Sequence, residues 1–125
     1  MNRITVVAAV IRRNGKVLLA RRPANKPPAG LEFPGGKVEP GETLRQALRR
    51  ELREELLLDL PVSEPIFFQK NGNIDLWFMR VTATEELYPE PQEGQQVRWA
   101  EVKPEPPEGL LPADSEFWRF LAGDE

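Results

Sequence analysis

The 125-residue chain contains no cysteine and no histidine. The first absence excludes disulfides, thiolate-ligated metals and a cysteine nucleophile. The second removes the commonest general base near neutral pH and most zinc sites. Metal or proton chemistry must therefore rest on carboxylates. Long apolar runs are missing too: the most hydrophobic stretch, Ile4 to Ile11, is too short to span a bilayer and lacks a signal-peptide layout. Nor is there an excess of positive charge. The formal net charge is −3, so the basic face of a general nucleic-acid binder is not expected. These exclusions favour a soluble cytoplasmic protein with neither nucleic acid nor membrane as partner.

What is present suits one folded domain over residues 1–125, because 40% hydrophobic residues and three Trp are too many for a disordered chain. "ITVVAAVI" is β-branched and apolar throughout, which predicts a strand buried on both faces. Asn14-Gly15 then predicts a hairpin turn into "KVLLA". "RRPANKPPAG" reads as a loop, and after a short "LEF" the segment with Pro34-Gly35-Gly36 and Pro40-Gly41 reads as turns. Thr43 with Gln46 forms a capping-box signature. Leu44, Leu48, Leu52 and Leu56 follow at i+4 spacing, so a helix is expected from Thr43 to about Leu56. "IFFQK-NG-NIDLWFMRVTA" predicts a second hairpin, "QVRWAEV" a further strand, and "DSEFWRFLA" a terminal helix capped by Asp114 or Ser115. The layout is mixed α/β, with two helices packed on a sheet.

The long helix carries an oddity. Glu51, Glu54 and Glu55 fall within a sector of roughly 100°, and none has Lys or Arg four residues later. Arg45, Arg49, Arg50 and Arg53 project largely to the other side, so the charges look sorted by sign. Like charges at i+3 and i+4 repel, and acidic groups near a helix C-terminus oppose its dipole. A solvated face is the plain explanation, but it would gain from Glu-to-Lys pairs that are absent. Three carboxylates with Glu42 as a fourth suit a hard divalent cation that keeps waters and takes substrate phosphates. No twelve-residue calcium loop is present, which favours Mg²⁺.

This segment resembles the Nudix box, G-x5-E-x7-R-E-U-x-E-E-x-G-U, where U is bulky and aliphatic. Gly36, Glu42, Arg50, Glu51, Leu52, Glu54, Glu55 and Leu58 fill eight of its nine fixed places; Leu57 stands where the family has Gly. Since Gly there commonly serves a left-handed helix terminus, Leu57 bears on the C-cap and removes no catalytic group. "LARR", "LEFPGGK", "IDLWF", "EGQQVRW" and "LPAD" follow the order seen in the MutT-like branch. The resemblance implies a Nudix α/β/α sandwich around a mixed sheet.

It also implies a Mg²⁺-dependent (or Mn²⁺-dependent) pyrophosphohydrolase of a small-molecule nucleotide, monomeric or homodimeric. Its favoured substrates are modified or oxidised nucleoside triphosphates, split into monophosphate and pyrophosphate. A dinucleoside polyphosphate or ADP-ribose substrate is the alternative, and a non-catalytic nucleotide sensor a third reading. Glu54 and Glu55 would ligate metal with the Gly35 carbonyl. Glu51 would be ligand or general base, and Arg50 would orient Glu51 or Glu54 by a charge-assisted hydrogen bond. Glu42 would complete the acidic cluster beside Gly36, and Lys37 would balance phosphate charge. Glu93 would reach the metal from a separate loop or act as base. For Lys37 and Glu93 the plain alternative is an ordinary loop charge.

The base pocket implied by the same resemblance comprises Arg22, Phe33, Leu76 and Asp114. The plain alternatives are a solvated charge for Arg22, core packing for Phe33 and a helix cap for Asp114. The MutT-like pattern carries Asn where Asp114 stands. An ionised Asp only accepts hydrogen bonds, which favours an exocyclic amine such as cytosine N4. A buried Asp held neutral can donate, which keeps 8-oxoguanine open.

Overall fold

A computed structural model of the chain describes residues 3–23, 25, 29–83, 87–92 and 94–123. Its organising element is β1 (Ile4–Arg13), whose successive side chains point to opposite faces. Ala8 and Val10 enter one apolar cluster, while Val7, Ala9 and Ile11 enter another. The apolar run was expected to be buried on both sides, and it is.

Asn14 and Gly15 both have positive φ, 52° and 77°, as a tight type I′ hairpin requires. They return the chain into β2 (Lys16–Arg21), with Arg12 opposite Val17. β2 also pairs with β3 (Leu31–Glu32). β4 (Gly35–Lys37) then runs antiparallel to the start of β1. Gly35 and Gly36, expected within turns, therefore belong to a strand. Two adjacent glycines read as punctuation in sequence, but here they allow close contact between backbones.

α1 (Leu44–Leu56) starts where the capping box places it. Gln46 N–H donates to Thr43 Oγ1 at 3.1 Å, and Thr43 N–H donates to Gln46 Oε1 at 2.9 Å. Ala47, Leu48, Leu52 and Leu56 are fully buried against one sheet face. Burying each such leucine contributes roughly 1.5–3 kcal/mol, enough to hold a helix whose exposed face is crowded with charge.

β5 (Val62–Asn71) and β6 (Ile74–Val81) form the second hairpin. β6 lies parallel to β1, from Ile4 opposite Ile74 to Ile11 opposite Val81, and α1 lies in the connection between them. β7 (Gln96–Glu101) pairs antiparallel with β2. The sheet is thus mixed. α2 (Pro112–Gly123) covers the face opposite α1, burying Phe117, Trp118 and Leu121 beneath it. Together these layers make the expected α/β/α sandwich. Among the described residues no helix is long and apolar enough to cross a membrane.

α2 begins at Pro112, two residues before the expected cap. Proline suits a first helical position, where its missing N–H costs nothing. Asp114 therefore sits inside the first turn, and its carboxylate does not cap the helix: Oδ2 accepts from Phe33 N–H at 2.9 Å.

Candidate active site

Gly35 and Gly36 create the space on which the site is built, for different reasons. A Cβ on Gly35 would run into the β1 backbone at Val7 and Ala8, 2.9 Å from Ala8 Cα. A Cβ on Gly36 would overlap the Glu51 carboxylate, lying 2.8 Å from Oε1. The first glycine permits strand pairing. The second leaves room for an acidic group from α1.

Arg50 organises the carboxylates. Its Nε donates to Glu42 Oε2 at 2.7 Å and its Nη2 to Glu42 Oε1 at 3.0 Å. Nη1 reaches Glu51 Oε2 at 3.2 Å and Glu54 Oε1 at 3.1 Å. Nη2 also donates to the Lys37 carbonyl at 2.9 Å. A guanidinium has five N–H donors, and here each has an acceptor. Helical spacing alone set the arginines apart from the glutamates, and that is corrected for Arg50: as the family resemblance implied, it reaches Glu51 and Glu54, and it relieves much of their repulsion from within the chain. Arg49 and Arg53 do face away, both pairing with Asp59.

A residual imbalance remains. The Arg50 hydrogen bond, aided by Glu39 N–H, holds the Glu42 carboxyl below its ordinary range. Burial pushes Glu51 upward despite Arg50. Glu55 is pushed up to about 7, first by burial and then by the nearby charges of Glu51 and Glu32. Hydrogen bonds from the Gln95 side chain and Gly35 N–H act in the opposite sense but do not prevail. For this half-buried carboxylate, burial and two acidic neighbours outweigh the positive charge of Arg22 across the cleft.

Gly35, Glu51, Glu54 and Glu55 line one side of a cleft of ≈ 550 Å³. Across it stand Arg22 and Glu32, joined by two hydrogen bonds of 2.8 and 3.1 Å. Gln92 and Gln95 complete the wall. Glu42 lies behind Arg50, and Lys37 is exposed with its carbonyl held by Arg50. Glu93 lies outside the described residues.

Of the residues expected around a base, Arg22 lines this cleft. Phe33, Leu76 and Asp114 are buried, at 3%, 7% and 5% exposure. Phe33 packs edge-on against Phe78 and Phe117. Burial pushes Asp114 up to about 7, over the opposing hydrogen bond from Phe33 N–H. Glu32 and Arg22 lie near enough to act on the Asp114 charge, which links it electrostatically to the cleft. Sequence reasoning passed over Glu32, Gln92 and Gln95. Two of these stood in quoted motifs, "LEF" and "EGQQ", where only Phe33 and Glu93 were singled out.

Among the described residues, no three carboxylates converge closely enough to grip one ion as they lie. Mg²⁺ does not need three, since it is commonly held by one or two carboxylates, with water and phosphate oxygens completing its shell. Glu55 with Glu51 or Glu54 and the Gly35 carbonyl is a donor set of that chemistry. The buried, acidic surroundings of Glu55 favour a cation.

The NUDIX domain model matches residues 1–119. The chain is 63% identical over 65 residues to a CTP pyrophosphohydrolase of Escherichia coli, covering 51% of this chain and 48% of that protein. It thus spans about half the length of that relative. It is also 36% identical over 105 residues to an 8-oxo-dGTP diphosphatase of Escherichia coli, covering 79% of this chain and 81% of the other. Among solved structures, one from work on the MutT proteins of Aliivibrio salmonicida and Vibrio cholerae superposes with a TM-score of 0.77 at 30% identity, covering 99% and 100% of the two chains.

Proposed function

The chain belongs to the NUDIX domain family, and on that premise we propose that it is a Mg²⁺-dependent hydrolase converting nucleoside triphosphates to the monophosphate and pyrophosphate. The observation that carries this reading is the cleft lined by Gly35, Glu51, Glu54 and Glu55. The names of the relatives, CTP pyrophosphohydrolase and 8-oxo-dGTP diphosphatase, support a triphosphate over a dinucleotide or ADP-ribose. Retention of every box glutamate speaks against a sensor that binds without cleaving.

Glu54, Glu55 and the Gly35 carbonyl would hold the cation, with Glu51 as a further ligand or as base. When bound, the cation neutralises phosphate charge and lowers the pKa of water. Hydrolysis adds water to one phosphorus and breaks its bridging P–O bond, so one proton must leave the attacking water. Glu51 suits that task because burial raises its proton affinity, while the Arg50 contact fixes its direction. Glu93 is the second candidate base. Arg22 stands across the cleft, where its positive charge can meet the nucleotide. Asp114 would set the preference for a base, and its burial favours a modified or amino-bearing ring held by few, specific contacts.

The test is incubation with Mg²⁺ and a panel of CTP, dCTP, dGTP, 8-oxo-dGTP, dinucleoside polyphosphates and ADP-ribose, with products identified by mass. Monophosphate and pyrophosphate are expected from triphosphates, and turnover should vanish in Glu54→Gln and Glu55→Gln variants that remain folded. Cleavage confined to the dinucleotides or ADP-ribose, or turnover retained by both variants, would overturn the reading.

A further inference from the structure

Among the described residues, the buried polar side chains are those of Gln69 and Asp114, at 8% and 5% exposure. The two meet at the first turn of α2. Gln69 stands opposite Leu76 in the β5–β6 ladder, and cross-strand partners share a face, so its side chain lies beneath α2 with the Leu76 cluster. There its Nε2 donates to the Ala113 carbonyl at 2.6 Å, one residue before Asp114. A carbonyl only accepts, so this bond fixes the sense of the amide. Oε1 is left buried, with no hydrogen-bond partner among the described residues.

The helix itself does not need this donor. Its unpaired carbonyls belong to its last turn, whereas Ala113 is in the first. Nor does packing call for an amide, since Leu or Met would fill similar space without an orphaned acceptor, which is destabilising. What the bond adds is position. The segment entering α2 is stitched to β3: Leu31 N–H donates to the Gly109 carbonyl and Leu111 N–H to the Leu31 carbonyl, both at 2.8 Å. Phe33 N–H then reaches Asp114 Oδ2. Gln69 holds the same turn from β5. β3 and β5 stand at opposite ends of the strand order. A turn tied from one end alone can pivot; tied from both, it is fixed.

We propose that Gln69 is a positioning residue for base selection: by anchoring the Ala113 carbonyl to β5 it sets the place of Asp114, and with it the hydrogen-bonding edge offered to the nucleotide base. This rests on the reading of Asp114 as the group that chooses the base. The unpaired Oε1 is tolerated because it comes with the donor. The consequence extends to the cleft, because Phe33 follows Glu32, whose carboxylate holds Arg22 there.

The experiment measures kcat and KM for two matched pairs, CTP with UTP and 8-oxo-dGTP with dGTP, in the wild type, Gln69→Met, Gln69→Asn and Asp114→Asn. Each pair differs in the base alone. Met keeps the bulk and loses the donor. Asn keeps the amide but falls short of Ala113, and serves if the Met variant fails to fold. In either, the kcat/KM ratio within the pair that the wild type discriminates is expected to fall roughly 5–50-fold toward unity. The fall should come through KM for the favoured base, with its kcat within about twofold of the wild type. The melting temperature of Gln69→Met should stay close to that of the wild type, because removing the orphan acceptor offsets the lost bond. Combined with Asp114→Asn, the effect of Gln69→Met on the ratio should be non-additive, as for residues that act as a unit. Undiminished selectivity in a folded Gln69 variant would overturn the proposal, as would additive effects or a wild type that discriminates neither pair. An equal rise in KM for both members of a pair would overturn it too, because that marks a general loosening. If Asp114→Asn also left selectivity intact, the reading of Asp114 would fall as well; a shift in Asp114→Asn with none in the Gln69 variants would sink this proposal alone.

Discussion

A Cβ on Gly36 would occupy the space taken by the Glu51 carboxylate, whereas one on Gly35 would strike the β1 backbone. The two adjacent glycines should therefore fail differently. In Gly36→Ala the obstacle is the end of a flexible side chain, so Glu51 swings aside and the fold persists. Stability should change by less than about 1 kcal/mol while kcat falls at least tenfold, as expected when a reacting group is displaced. In Gly35→Ala two strands must separate, at about 1–3 kcal/mol, the usual size of an overpacking penalty. Urea unfolding alongside initial rates tests the contrast. Equal loss of stability in both variants would rule out separate roles.

Arg50 serves five acceptors at once, and lysine cannot, since an ammonium has three donors and no planar fork. Arg50→Lys should lose about 1–2 kcal/mol in metal-free buffer, a modest figure because the cluster is partly solvated. Excess Mg²⁺ should restore more stability to the variant than it adds to the wild type, because the cation takes over part of the neutralisation. Thermal melts with and without Mg²⁺ decide this. If Mg²⁺ shifted neither protein, the link between Arg50 and the cation would be lost.

The ease with which different parts of this molecule are read from sequence follows the range of the interactions that fix them. α1 was legible because its capping box and leucine stripe are local, and both hairpins because Asn-Gly pairs set their turns. β4 was not, since Gly35 and Gly36 become a strand only where β1 lies beside them. The placing of Arg50 beside Glu51 or Glu54 came from the family resemblance and not from helical spacing. Helical spacing puts it away from Glu51, and only a long flexible side chain with Glu42 folded close brings it back. Asp114 pairs with Phe33 across 81 residues of sequence, and Gln92 meets the Glu55 carbonyl only where a loop folds onto α1. Glu93 lies outside the described residues, so its expected role stands as a proposal.

Leu57 ends α1 in the left-handed conformation, φ 53° and ψ 38°, with Leu58 N–H closing onto the Leu52 carbonyl at 3.2 Å. The backbone geometry usual for glycine is therefore present in a residue that resists it. A non-glycine residue there pays roughly 1–2 kcal/mol; glycine removes that strain but gives the unfolded chain more freedom, worth about 0.4–1 kcal/mol. Leu57 is 56% exposed, so little burial is forfeited. Leu57→Gly should thus be more stable by about 0.5–1 kcal/mol, with kcat unchanged. A lower urea midpoint would mean that the leucine side chain contributes packing that its exposure does not suggest.

Asp114 gives stability a defined dependence on pH. Burial raises its folded pKa to about 7 from an ordinary value of 3.8. Between those values the unfolded chain has released a proton that the folded protein retains, so raising the pH favours unfolding. The contribution is fully present below about pH 4, declines through about 7 and is flat above, with a ceiling on the order of 4 kcal/mol. Asn cannot ionise, and its side-chain oxygen can still accept from Phe33 N–H. Asp114→Asn should therefore match or fall below the wild type near pH 5 and exceed it near pH 8. The difference between the two proteins isolates this group, because Glu55, which titrates in the same range, is common to both. Urea unfolding across that interval reads the difference directly. A gap independent of pH would mean that Asp114 is already ionised in the folded protein, held as an acceptor by Phe33. Its proposed part in choosing a base would then reduce to accepting hydrogen bonds, and rings presenting an exocyclic amine would be the ones it favours.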